Sequence, residues 1–460
     1  MWTELITGFG RGRSRALIQL VPYVATIVWA TALVFAHSTG RIETGRGLVL
    51  LAFPIVAIGA AIRPAWVVLF LVAAPVGQIQ IVSTRALMLL MLLTLGGQLV
   101  TRGSVSVGWR SGFLGFIVLV ATAFFFRADI SGRDALIARG IWNLLAFYLL
   151  LGLVTYNATR IGDLRGRDLV NALLFGLTLS VILEHTVLSD ESGILGSGAA
   201  PLGRAAAYLA AVGFAVCFAR LITRTEDGGR YHPAAHLGLA TVFMLAMVPG
   251  LLRGAWVSAL VAVLIISLWT GKRSYWLLIL FALTALLIVP VTRERIAPNE
   301  QQAAGGGYTT GRFDLWSQLW VNEIVPALPL GNGFGHMFTL SSEDIFGAGD
   351  TSFDPSGTGF VYAHNDLIYW MVELGLVGLL GMVLFWSQLL SASRSLSRSE
   401  SVNSVHVQIL SGVLITGLVT QLVASTVFFT GLAVPFFAGA GFVFGAREVS
   451  VIRHVQSGIS

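Results

Sequence analysis

The chain has 460 residues, of which 55% are hydrophobic and 11% charged, against about 25% charged in a soluble domain. Long apolar runs separated by short arginine-bearing links exclude an ordinary soluble protein and describe a polytopic helical membrane protein. The net charge of +6 comes from 28 arginines and one lysine scattered between those runs. Membrane topology explains that distribution better than a nucleic-acid surface does, so no nucleic-acid partner is expected.

Only helices satisfy their own backbone groups in lipid without closing into a barrel, so the apolar runs are read as helices. The first, after Arg15, is about 20 residues long and is followed by further spans, which makes it a retained anchor rather than a cleaved leader. Fourteen candidate spans follow in order: 16–36, 47–62, 64–77, 86–101, 111–126, 140–157, 168–188, 204–222, 235–249, 252–270, 275–291, 363–391, 405–428 and 431–446. Two pairs, split at Arg63-Pro64 and at Pro249-Gly250, are either paired spans or single broken elements, so the count is twelve to fourteen. The expected fold is an all-α polytopic membrane protein, one membrane domain over 1–460, with an extracytoplasmic loop at 292–362. Cys217, the only cysteine, lies inside an apolar run and cannot form an internal disulfide.

The positive-inside rule sets the orientation. With the amino terminus inside, 18 of the 29 basic residues fall on cytoplasmic links, both termini are cytoplasmic, and the long loop faces outward. Eleven arginines remain outside. Some snorkel to headgroups. Arg204 and Arg253 each begin an apolar run at its outer end, where an arginine usually has an anionic partner.

Within the loop, Gly305-Gly306-Gly307 is a flexible break. Phe313, Trp316, Leu319, Trp320 and Ile324 then recur at helical spacing until Pro326 ends the run. This reads as an amphipathic helix in the outer interface, either roofing a cavity open to lipid or capping the bundle. Pro329-Leu330-Gly331-Asn332-Gly333-Phe334-Gly335 has glycine at every second position, a spacing that lets backbone approach a neighbour closely. The acidic stretch 341–358 lacks the ladder of a calcium loop and is read as solvated surface.

Of the eight histidines, His232 and His236 have a zinc-like spacing with no third ligand nearby. His37, His185 and His336 have no evident role. His364 opens a helix at the outer membrane face directly after the polar loop. A helix amino terminus disfavours a positive imidazole, which leaves His364 either a capping residue or a neutral proton acceptor.

Here the residues reach a family. His364-Asn365-(x)-Leu367 followed by Glu373-Leu374-Gly375-Leu376-Val377-Gly378 resembles the "HN-x-x-L … E-x-G-x-x-G" block of the O-antigen ligase and O-antigen polymerase superfamily. The Pro329–Gly335 turn looks like that family's "P-L-x-G-x-G" segment, and Arg312 with Trp316 like its "R-x-x-x-W". Leu252-Arg253-Gly254-Ala255 resembles its "S-R-G-A" helix start, with leucine in place of serine. Gly203-Arg204 with Ala207-Tyr208-Leu209-Ala210 is a looser match, and the first 200 residues match only as apolar spans.

The resemblance implies a GT-C-like membrane glycosyltransferase on the outer face of the bacterial cytoplasmic (inner) membrane. Its donor would be a glycan on a polyprenyl diphosphate, typically undecaprenyl diphosphate. Its acceptor would be a hydroxyl on a glycan, a lipid-linked glycan or protein. A sugar hydroxyl is a poor nucleophile, so His364 is assigned as general base. Arg204, Arg253 and Arg312 are assigned to the departing diphosphate, which arginine holds by bidentate hydrogen bonds. Asn365 is assigned to orient the histidine or the acceptor, and Glu373 to a structural or inter-helical role. Displacement would invert the anomeric carbon. The first outer loop offers only Glu43 as a carboxylate, so neither metal nor other cofactor is expected. The rival reading is a transporter or flippase of lipid-linked oligosaccharide, which would also use a cationic cavity but usually shows internal repeats.

Overall fold

The computed structural model describes residues 21–32, 34, 63–74, 84–106, 113–126, 132–186, 203–223, 233–250, 253–271, 312–340, 363, 365–399, 404–423 and 430–456. Described helices are α1 (Val21–Ala32), α2 (Pro64–Ala73), α3 (Thr84–Arg102), α4 (Leu114–Phe125), α5 (Gly132–Arg160), α6 (Gly166–Thr186) and α7 (Gly203–Ile222). They continue as α8 (Pro233–Gly250), α9 (Arg253–Trp269), α10 (Arg312–Leu319), α11 (Asp366–Ser397), α12 (Ser404–Val423) and α13 (Thr430–Gln456). Six of these are long and apolar enough to cross a membrane, and six shorter apolar helices accompany them. Each matches an expected span. The expected spans at 47–62 and 275–291 lie outside the described residues.

Apolar residues are found on both sides of the bundle, as a lipid solvent requires. Inside, α7, α12 and α13 are buried along most of their length. Outside, Leu89, Leu92, Leu93 and Val100 of α3 are exposed, a surface that water would penalise and hydrocarbon does not. Lipid gives no hydrophobic drive for helix–helix contact, so close packing must hold the helices together. Gly441 and Gly445, four apart on α13, lie against the backbone and Thr155 and Thr159 of α5; a Cβ at either glycine would overlap α5. On α4, Gly115 meets Gly381 of α11 in the same way.

The helices share one polarity of ends. At the first end, Arg220 near the close of α7 donates to Asn171 near the start of α6 at 2.9 Å and lies 3.0 Å from His236 near the start of α8. Arg160 ends α5 and pairs with Glu448 of α13 at 3.8 Å, while Arg63 before α2 pairs with Asp163 at 3.7 Å. Gln408 near the start of α12 donates to the Ser397 carbonyl at the end of α11. This basic end gathers links that the positive-inside rule expects on the cytoplasmic side. His236, half of the zinc-like spacing, partners a guanidinium there; His232 lies outside the described residues.

The opposite end is where the loop sits. Phe334 of the loop donates to the Phe126 carbonyl just beyond α4 at 2.7 Å. Ser258 in the second turn of α9 meets Thr420 near the close of α12 at 3.0 Å. The amino ends of α7, α9 and α11 therefore all lie at this loop end.

Candidate active site

The loop end is organised by a break in α11. At Gly375 the backbone turns to φ 57° and ψ −141°, so the helix runs as two pieces. In an unbroken helix the Leu376 amide would donate to the Val372 carbonyl. Here it donates to the Pro329 carbonyl at 2.8 Å, and the Val372 carbonyl accepts from Asn332 at 2.9 Å. The Glu373 carbonyl likewise accepts from Gly333 at 2.9 Å. The loop thus takes over backbone bonds that the break releases, as buried backbone groups require.

Glycine is required on both sides of this junction. Gly331 has φ 78° and faces the Gly375 nitrogen, where a Cβ on either residue would overlap backbone. The expected close backbone approach of the Pro329–Gly335 turn is therefore an approach to α11. The Glu373 side chain, fully buried, completes the joint. Its Oε2 accepts from the Gly335 amide, and its Oε1 accepts from Met337 at 2.8 Å. Its role is structural, joining loop to helix rather than helix to helix.

The amphipathic segment is α10, which continues through a π-helical turn, Trp320–Ile324. Leu315, Leu319 and Ile324 are buried in the core. Phe313, Trp320 and Val321 are exposed, so only part of its apolar surface faces the protein. Within the π turn, Glu323 lies 2.8 Å from His336 Nε2 and its carboxylate accepts from Asn332 Nδ2 at 3.3 Å. His336, without evident role in the sequence, is thereby a clasp between the loop and α10.

The assigned residues fall as follows. Arg204 is the second residue of α7, Arg253 the first of α9 and Arg312 the first of α10. His364 lies outside the described residues, between Ala363 and Asn365, which are described. Trp316 Nε1 donates to the Ala363 carbonyl at 2.6 Å, so the helix that begins at Arg312 is tied to the residue before His364. The starts of α7, α9 and α11 share the loop end, and α10 is joined to it. The fold brings the three arginine positions and the two neighbours of His364 in the chain to one end of the bundle.

Asn365 is the amino-terminal cap of α11. Its Oδ1 accepts from Leu367 at 2.9 Å and Ile368 at 3.3 Å, which satisfies two amides that the helix leaves open. That oxygen is thus occupied in capping, and any orienting role falls to the amide nitrogen.

One feature of this end escaped the sequence reading. Asp366 is fully buried in the first turn of α11 and lines a cavity with Tyr148 of α5, Trp370 of α11 and Gln421 of α12. Tyr148 and Phe437, stacked with ring centroids 5.3 Å apart, both line it. An ionisable residue in the first turn of a span was the available signal, but it was overshadowed by the neighbouring histidine.

Residues 238–383 match a protein-family model described as O-antigen ligase. The matched region contains Arg253, Arg312, the Pro329–Gly335 turn, His364, Asn365 and Glu373, and leaves Arg204 outside. No curated protein matches the chain.

Proposed function

We propose, from the premise that the chain is a multi-pass membrane glycosyltransferase of the O-antigen ligase and polymerase superfamily, that it transfers a glycan from a polyprenyl diphosphate to a hydroxyl acceptor. The reaction takes place at the loop end, which faces outward from the bacterial cytoplasmic membrane while the basic end faces the cytoplasm. The observation that supports this reading is the convergence at that single end of the starts of α7, α9 and α10, which begin at or beside Arg204, Arg253 and Arg312, with Ala363 and Asn365, which flank His364 in the chain.

The step balances without an external reagent. His364 takes the proton from the acceptor hydroxyl as its oxygen attacks the anomeric carbon. The new C–O bond forms opposite the breaking bond to phosphate oxygen, so the anomeric configuration inverts. The electron pair leaves with the lipid diphosphate, whose growing charge the three arginines neutralise by charge-assisted hydrogen bonds. Helix amino termini at the same end add positive potential for the departing phosphates. Glu373 and Gly375 hold the loop over this end.

Reconstituted protein supplied with lipid-linked donor and acceptor tests the reading. His364→Ala is expected to insert and fold while transfer falls about 10²–10⁴-fold, the usual contribution of a general base. Arg253→Ala should weaken donor binding. Wild-type transfer by the histidine variant would remove the base assignment, and unchanged donor affinity would remove that of Arg253. Movement of donor between leaflets without bond formation would overturn the reading of the chain as a transferase.

A further inference from the structure

Helix α10 runs through the π turn into the stretch Trp320–Leu330, whose only charged residue is Glu323. That carboxylate is drawn inward to His336 and Asn332. Asn322, the one amide side chain in the stretch, bonds back along the helix to Gln318 at 3.2 Å. Trp320, Val321, Val325, Leu328 and Leu330 are left exposed. Apolar side chains crowded in this way mark a contact surface rather than a face turned to water.

The place of the stretch on the bundle identifies the partner. The Leu376 amide donates to the Pro329 carbonyl, so Leu328 and Leu330, the two neighbours of Pro329, lie beside the start of the second piece of α11. From there Leu376, Leu380, Val383 and Leu384 are exposed along a helix long and apolar enough to cross a membrane. Such residues face hydrocarbon. Val321 is as exposed as Leu380, 60% against 64%, so the loop surface carries on what α11 begins.

Depth agrees with continuity. From Leu376 to Arg394 a straight helix rises about 27 Å, close to the ~30 Å thickness of the hydrocarbon. With Arg394 reaching the far headgroups, Leu376 stands at the loop-side edge of the hydrocarbon. The Asn332 amide donates to the Val372 carbonyl, and Asn332 Nδ2 donates to the Glu323 carbonyl at 3.1 Å. The π turn is therefore fastened to α11 about one helical turn from that edge.

We infer that Trp320–Leu330 is seated in the membrane, with its exposed apolar side chains among the acyl chains of the loop-side leaflet. The partner is lipid hydrocarbon. Trp320 brings an indole, the side chain that favours the boundary between chains and headgroups, while Gln318 and Asn322 mark the side turned to water. A loop held in this way stays at the depth where a membrane-borne substrate carries its head group. The inference makes no use of the transfer chemistry, so its failure and the failure of the transferase reading are separate results.

The test is the collision of nitroxide labels in full-length protein reconstituted in phosphatidylcholine vesicles. Val321→Cys, Val325→Cys and Leu330→Cys are labelled one at a time, with the buried Cys217 replaced by alanine. Leu380→Cys serves as the hydrocarbon reference and Gln318→Cys as the aqueous one. All five sites are exposed, so the labels leave the core intact. The ratio of collisions with oxygen, which concentrates in hydrocarbon, to collisions with a water-confined nickel chelate is expected to approach that of Leu380 and to exceed that of Gln318 several-fold. Labels that meet the nickel chelate as Gln318 does would put the stretch in water and overturn the inference. Labels shielded from both reagents would mean that protein covers the stretch, either another part of this chain or a second copy, and would overturn it equally.

Discussion

Asp366 and Glu373 lie two turns apart on one helix, both fully buried, yet their surroundings differ in kind. Glu373 has each oxygen engaged by a loop amide beside a helix break that glycine alone permits. Asp366 lies in the first turn, bordering a cavity that also takes an amide oxygen from another helix. Burial alone therefore does not tell what a membrane carboxylate is for. Saturation by backbone donors marks a joint between loop and helix.

The comparison can be broken most forcefully at the joint. Glu373→Leu leaves the Gly335 and Met337 amides without their acceptor in a buried site. Two orphaned donors cost about 2–6 kcal/mol, so the variant should melt well below the parent in detergent, with the loop opened to proteolysis. A parent-like melting temperature would show that the carboxylate does not hold the loop. Gly375→Ala attacks the same joint through the backbone. Its positive φ costs an alanine about 1–3 kcal/mol, and its Cβ would overlap backbone of Pro329 and Gly331. Reduced stability together with a more accessible loop is the expected result, and hydrogen exchange across 329–337 would detect it.

The mildest probe lies beside Asp366. Asn365→Ala removes the cap from α11 and should cost about 0.5–2 kcal/mol, with donor binding retained. If donor affinity falls far more than stability, Asn365 serves the substrate beyond its cap. Glu373→Leu should change stability first and rate only through the loop.

Much of this was open to sequence reading because lipid simplifies the problem. Every described apolar helix matches a run of apolar residues, since a chain in hydrocarbon must close its own backbone hydrogen bonds. The glycine spacing of Pro329–Gly335 announced a close backbone approach. It did not say to what, because the partner is a helix break at Gly375, and "Glu-Leu-Gly-Leu" in an apolar run reads as unbroken helix. The capping role of Asn365 was hidden behind its more suggestive neighbour. His336 had no visible purpose because Glu323, its partner, is thirteen residues away across a π turn.

By itself, then, the amino-acid order determined the helical class, the alternation of ends and the motifs that resemble the O-antigen ligase family, because each depends on local composition and short-range periodicity. Tertiary structure alone decided that Gly375 interrupts α11, that the loop repairs the interruption, and that Asp366 and Gln421 share a cavity. Those facts arise where segments distant in the chain exchange hydrogen bonds or enclose a space together. No local rule of propensity or hydropathy encodes such a meeting.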